Sequence, residues 1–219
     1  MFVNAFDYAK RNIPCACRLC ACPFSGGEKY SFRHIREDLG AIYYDVPKTG
    51  SSTIRAKLGI SGVDIPSSLL DPEREKKDYF GFAVVRNPYS RMVSNWRMFT
   101  TQGFRVQQLR AMTNRDLSSF SEFVKYACLV PNHHWIPQSF FVPHESEIDL
   151  IGKLENMNDV LQQLSTHIEG FNPENLVVNA TGDVVSRPTD YYRKFYDNHT
   201  YDLITKYYSE DLERFDYCF

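Results

Sequence analysis

The sequence predicts an α/β fold in which a central parallel sheet is flanked by helices. Three observations predict it. Short apolar runs of strand length recur at residues 41–46, 79–85 and 148–152. Stretches with apolar residues at helical spacing follow them, as at 88–99, 120–129 and 156–168. Strands that alternate with helices build parallel sheets, and such sheets bind ligands at the carboxyl ends of their strands.

In chain order, residues 1–30 are expected to form a polar leader ending in the flexible joint Ser25-Gly26-Gly27, and residues 31–219 a single domain. Four of the six cysteines crowd into the leader as Cys15, Cys17, Cys20 and Cys22. Four thiolates in one short loop can hold zinc or an iron–sulfur cluster, and the same residues can equally be disulfides or free thiols. No second Cys or His half-site stands at finger-like spacing, so no metal ligands are assigned.

The first strand, Ala41-Ile-Tyr-Tyr-Asp-Val46, is stopped by Pro47, which has no N–H for a ladder. Lys48, Thr49, Gly50, Ser51, Ser52 and Thr53 follow, and Ile54 to Leu58 reads as the first turns of a helix with Gly59 as its stop. A strand, a small-residue loop and a helix start together present unpaired amides to an anion. Gly50 allows close approach, the hydroxyls add donors, and Lys48 adds a charge. The alternative is an ordinary turn capped by serine. The loop resembles a phosphate-binding loop without being a Walker A sequence, because its lysine stands first and no G-K-[ST] occurs in the chain.

Residues 60–78 form a connection whose charged run, 71–78, reads as a solvated face. The second strand ends at Arg86-Asn87-Pro88, and Pro88 opens a helix through Phe99 with Tyr89, Met92, Val93, Trp96 and Phe99 on its buried face. Arg86 at the strand's end, with Arg91 and Ser94 beyond it, makes a second candidate anion site. For Arg91, a salt bridge to a carboxylate is the competing reading. Ser119 and Glu122 fit a capping box for the helix at 120–129. An irregular segment at 132–138, a fourth strand at 175–179 and two tail helices broken near Asn198 complete the reading, with 101–118 and 130–147 as loops.

The chain has 219 residues, a formal net charge of −2 and a pI near 6.3, which argues against nucleic acid as a partner. No run of 18 apolar residues occurs, so no membrane span is expected. As given, the chain is expected in the cytoplasm, and in the Golgi lumen only if an N-terminal anchor was removed. The sequons at Asn179 and Asn198 matter only in a secreted chain.

The two anion sites carry a resemblance. Val46-Pro-Lys-Thr-Gly-Ser-Ser-Thr53 resembles the 5′-phosphosulfate loop of sulfotransferases, and Val85-Arg-Asn-Pro-Tyr-Ser-Arg-Met-Val-Ser94 resembles their 3′-phosphate motif. His134-Trp-Ile-Pro-Gln138, the stretch from Asp149 through Glu155 to Asn156, and the tail from Tyr192 to Phe215 are similar to the carbohydrate branch of that family. The resemblance implies 3′-phosphoadenosine 5′-phosphosulfate as donor, no metal, and a sugar hydroxyl as acceptor. It implies that Pro47, Lys48, Thr49, Gly50, Ser51, Ser52 and Thr53 hold the 5′-phosphosulfate, with Lys48 at the leaving oxygen. Arg86 and Ser94 would hold the 3′-phosphate.

A base is needed for the acceptor. His134 is the first choice and His133 the second, with His144, Glu145 and Glu155 behind them; a histidine that simply packs beside Trp135 is the competing reading. Residues 54–85 contain no histidine, unlike members that act on uronic acid. Two rivals remain at this level: a nucleotide or small-molecule kinase with a variant phosphate loop, and a non-catalytic nucleotide-binding module of the same fold.

Overall fold

The computed structural model describes residues 33–60, 79–174 and 189–219. The leader with its four cysteines, most of the 60–78 connection, the expected strand at 175–179 and the Asn179 sequon lie outside the described residues. The strands are β1 (Arg33–Arg36), β2 (Ala41–Tyr44), β3 (Phe80–Val85) and β4 (Leu150–Lys153). The helices are α1 (Ser51–Lys57), α2 (Pro88–Thr101), α3 (Gly103–Thr113), α4 (Phe120–Leu129), α5 (Met157–His167), α6 (Asn198–Tyr207) and α7 (Ser209–Arg214). Among the described residues no helix is long and apolar enough to cross a membrane.

The chain divides into two compact units that alternate along the sequence. A sheet unit takes the described residues 33–60, 79–86 and 138–174; a helical unit takes 87–137 and 189–219.

In the sheet unit the strand order is β1-β2-β3-β4. The three expected strands, β2, β3 and β4, are parallel, with Tyr43 opposite Phe82 and Ala83 opposite Ile151. β1 extends this sheet with an antiparallel edge, Arg33 opposite Tyr44. Its sequence, Arg-His-Ile-Arg, has a single apolar residue, so pairing with β2 rather than its own pattern makes it a strand. Alternation then sorts the side chains. Ala41 and Tyr43 of β2 and Phe82 and Val84 of β3 form a core with Ile54 and Leu58 from the α1 segment and Val160, Leu161 and Leu164 from α5. A Cβ at Gly152 would lie 2.6 Å from Val160 Cγ2, so glycine at this point of β4 sets how closely α5 approaches.

In the helical unit α2 opens as the sequence predicts. Asn87 is its N-cap, accepting from the amides of Tyr89 at 3.0 Å and Ser90 at 3.3 Å, with Pro88 in the first turn. Tyr89, Met92, Val93 and Phe99 are buried on the expected face; Trp96 sits at its rim and donates to the carbonyl of Ser118 at 2.9 Å. α4 buries Phe120, Phe123, Val124 and Ala127. Its expected capping box does not form: Ser119 stands at the N-cap without a side-chain bond, and Glu122 pairs with Lys125 at 2.7 Å. α3 occupies a stretch read from sequence as loop, and Leu109 is its buried residue. The break near Asn198 separates a 3-10 turn, Tyr191–Phe195, from α6, and Asp197 with Thr200 forms a capping box there.

Candidate anion site

β2 ends at Tyr44, and the chain turns through Asp45, Val46 and Pro47 into α1. Lys48 has φ 73 and Gly50 has φ 87, both in the left-handed region. For Gly50 this costs nothing. For lysine it is uncommon and is retained only where the surroundings enforce it. The enforcement is visible. The hydroxyls of Thr49 and Ser51 both donate to the carbonyl of Val46, at 2.8 and 2.7 Å, and draw the loop into an arch. A Cβ on Gly50 would stand 2.8 Å from Met157 Cε and 3.0 Å from Leu154 Cδ1.

Gly50 is the N-cap of α1, and no side chain caps it. The turn is therefore not the serine-capped one. The Gly50 carbonyl takes the amides of Thr53 at 2.9 Å and Ile54 at 3.2 Å. Those of Ser51 and Ser52 come ahead of the helical ladder, at the positive end of its dipole. Lys48, Gly50, Ser51 and Ser52 are half-buried, whereas Thr49 and Thr53 are buried. The hydroxyls of Thr49 and Ser51 thus serve the arch.

Beneath the loop lies a buried carboxylate. Asp45 accepts from the Tyr43 hydroxyl at 3.2 Å and lies 3.5 Å from His34 Nε2 and 3.7 Å from Arg55 Nη1. Burial first, and the Asp45 charge second, hold the Tyr43 hydroxyl well above the ordinary phenol range. Tyr43 therefore stays a neutral donor.

Arg86 follows the last residue of β3, and its Nη1 donates to the carbonyl of Lys48 at 3.2 Å. The structure thus brings Arg86 of the second sequence motif onto the loop of the first. A residue that sequence reasoning did not single out holds it there. The Arg86 amide donates to Gln138 Oε1, and Gln138 Nε2 donates to the Arg86 carbonyl, each at 2.8 Å.

The remaining expected residues belong to the helical unit. Ser94 is half-buried on α2. Arg91 is fully buried and gives its fork to backbone, Nη1 to the Ile136 carbonyl at 2.7 Å and Nη2 to the His134 carbonyl at 3.1 Å. His134 is buried with its ring edge-on to Phe99 at 5.3 Å and 3.9 Å from the ring of His133, which is half-buried. Of the weaker candidates, His144, Glu145 and Glu155 are all exposed, and His144 is occupied with Ser146 at 3.1 Å. Among the described residues no group of three His, Cys, Asp or Glu side chains is placed to share a metal ion.

A glycine-opened helix start behind a parallel strand is the arrangement by which α/β proteins grip phosphate-like anions. The chain belongs to the sulfotransferase family, whose sequence pattern matches residues 65–218. It is thus a transferase of sulfuryl groups. The matched span includes Arg86, Ser94, His133, His134 and Gln138 and begins after the 47–53 loop. No curated protein and no solved structure matches the chain.

Proposed function

We propose that the donor is 3′-phosphoadenosine 5′-phosphosulfate and the acceptor a hydroxyl on a carbohydrate. The observation that carries the donor is the uncapped start of α1 behind a left-handed Lys48 and Gly50, bound through Arg86 to the tip of the neighbouring parallel strand. Residues 47–53 cradle the 5′-phosphosulfate with backbone amides. The Lys48 ammonium meets the charge that builds on the bridging oxygen as the sulfur–oxygen bond breaks. Arg86 and Ser94 take the 3′-phosphate, for which a guanidinium fork is suited.

The acceptor oxygen attacks sulfur, the bond to the 5′-phosphate oxygen breaks, and the hydroxyl proton passes to a histidine. His134 and His133 are the candidates, on the strength of the family resemblance; His133 is the more exposed of the two. A transferring sulfuryl group carries less charge than a γ-phosphoryl group, so positioning and one cation suffice in this reading without a metal. The carbohydrate acceptor follows from the resemblance of residues 134–138 and of the tail.

Thermal unfolding with 3′-phosphoadenosine 5′-phosphate, set against ATP with magnesium, tests the donor. A ligand at about 100 times its Kd stabilises by roughly 2.7 kcal/mol. Stabilisation by ATP and not by the bisphosphate overturns the reading in favour of a kinase. For the acceptor, a donor-loaded screen of sugars, phenols and amines is read by mass; transfer to phenols but to no sugar overturns the carbohydrate assignment.

A further inference from the structure

We propose that Gln138 is a positioning residue for sulfuryl transfer, acting on Lys48 through Arg86. The inference rests on the donor reading above and adds a residue to it.

The geometry is that of a strand continued by a side chain. β3 is paired on both sides, but its last partners are Tyr44, opposite Ala83, and Lys153, opposite Val85. The ladder ends before Arg86. The next peptide group that needs partners is that of Arg86, and the Gln138 carboxamide supplies both, an acceptor for the N–H and a donor for the C=O. A primary amide has the same donor and acceptor pair as a peptide, and glutamine presents it as a neighbouring strand would. Gln138 is fully buried, and its own carbonyl accepts from the amides of Phe141 at 2.8 Å and Val142 at 3.2 Å. The carboxamide is thus fixed at its base as well as at its tip.

With the backbone of Arg86 fixed in this way, its side chain leaves β3 in a set direction and reaches the Lys48 carbonyl. That carbonyl belongs to the residue held at φ 73. A bond to it opposes relaxation of Lys48 out of the left-handed region, where lysine would not stay unaided. The chain of contacts runs from Gln138 to the Arg86 backbone, then along the Arg86 side chain to Lys48, all within the sheet unit. Its two ends are 52 and 38 residues from Arg86 in sequence. Carboxamide chemistry is required. Glutamate keeps the shape but, when ionised, turns an acceptor toward the Arg86 carbonyl.

The experiment compares wild type, Gln138→Glu, Arg86→Met and the double variant in two measurements. The first is amide hydrogen exchange of residues 46–53 without ligand. The second is sulfuryl transfer from 3′-phosphoadenosine 5′-phosphosulfate. At neutral pH, Gln138→Glu is expected to speed exchange in the loop about tenfold, the scale of one hydrogen bond lost. Turnover falls with it, and acidification to about pH 5, which protonates part of the glutamate, recovers the exchange protection. In the Arg86→Met background, Gln138→Glu is expected to add nothing to loop exchange, because the route to Lys48 is already cut.

Unchanged loop exchange in Gln138→Glu overturns the proposal, as does an additive effect in the double variant. If Gln138→Glu does not fold, Arg86→Met alone decides: loop exchange at the wild-type rate overturns it. Loss of loop protection in Gln138→Glu, in a protein whose wild type transfers no sulfate from this donor, would defeat the donor reading and leave the positioning relationship standing.

Discussion

Arg91 gives a hydrogen bond of 3.1 Å to the carbonyl of His134, and the same carbonyl accepts from Asn95 at 2.8 Å. A histidine proposed as a base is thereby pinned through its backbone by two side chains of α2. Arg91 was a candidate for an anion or for a carboxylate on sequence grounds. Its placement makes it a brace for the 134–136 segment. Arg91→Met is expected to cost about 2–4 kcal/mol, since it leaves the buried Ile136 carbonyl without this donor. Urea unfolding measures it, and a variant as stable as wild type would refute the brace.

Two substitutions at Lys48 separate charge from strain. Lys48→Ala and Lys48→Gly both remove the ammonium, and each is expected to lose about 100-fold or more in turnover while still binding the bisphosphate. Only glycine relieves φ 73. Lys48→Gly should therefore be about 1 kcal/mol more stable than Lys48→Ala. Steady-state rates and denaturant midpoints give both numbers; a glycine variant less stable than the alanine one would contradict the backbone assignment.

Overpacking at the seam between β4 and α5 gives a third test. A Cβ at Gly152 would meet Val160 Cγ2 at 2.6 Å and Cγ1 at 2.8 Å. Gly152→Ala is expected to destabilise by about 1–3 kcal/mol. Adding Val160→Ala removes both clashing methyls and should recover part of the loss. The pair is read as a double-mutant cycle on urea midpoints, and simple additivity would mean the two residues do not touch.

Stability at high pH follows from weak acids that are buried or half-buried. Burial pushes the Cys128 thiol from 9.0 up to about 12, and the hydroxyls of Tyr43, Tyr196 and Tyr208 well above 10.0. In each case the folded chain keeps a proton that the unfolded chain releases. The unfolded state then binds fewer protons, so stability falls as pH rises. The contribution of Cys128 is whole below about pH 9 and is lost between there and about pH 12. Urea titrations over a pH series should show this decline starting near the ordinary thiol range, and Cys128→Ala should delay it. A flat profile from neutrality to pH 11 would count against these groups holding their protons more tightly in the folded chain.

β2, β3 and the helices at 88–101, 120–129 and 157–167 were legible because each buries an apolar run or stripe, and β4, in which Gly152 is the buried residue, was legible as a short apolar run. β1 was not, because Arg33, His34 and Arg36 leave no pattern and a neighbouring strand supplies the order. α3 was not, because Gly103 opens it without a capping side chain and Leu109 is its buried residue. The 47–53 loop was legible as composition, but the inward turn of the Thr49 and Ser51 hydroxyls was not; it depends on where the Val46 carbonyl points. Gln138 closed the motif that begins at His134, but its role was not legible, since side-chain bonds to a backbone 52 residues away follow no periodicity.

Alternation of the two units along the chain limits how the protein can be dissected. The segment Asn87–Pro137 falls between the strands that flank β3, so β4 is synthesised only after that helical segment has been made. On the ribosome β3 waits, with one long side unmatched, for a partner still to be translated. No single point of cleavage releases either unit intact, and isolating one would require splicing rather than trimming.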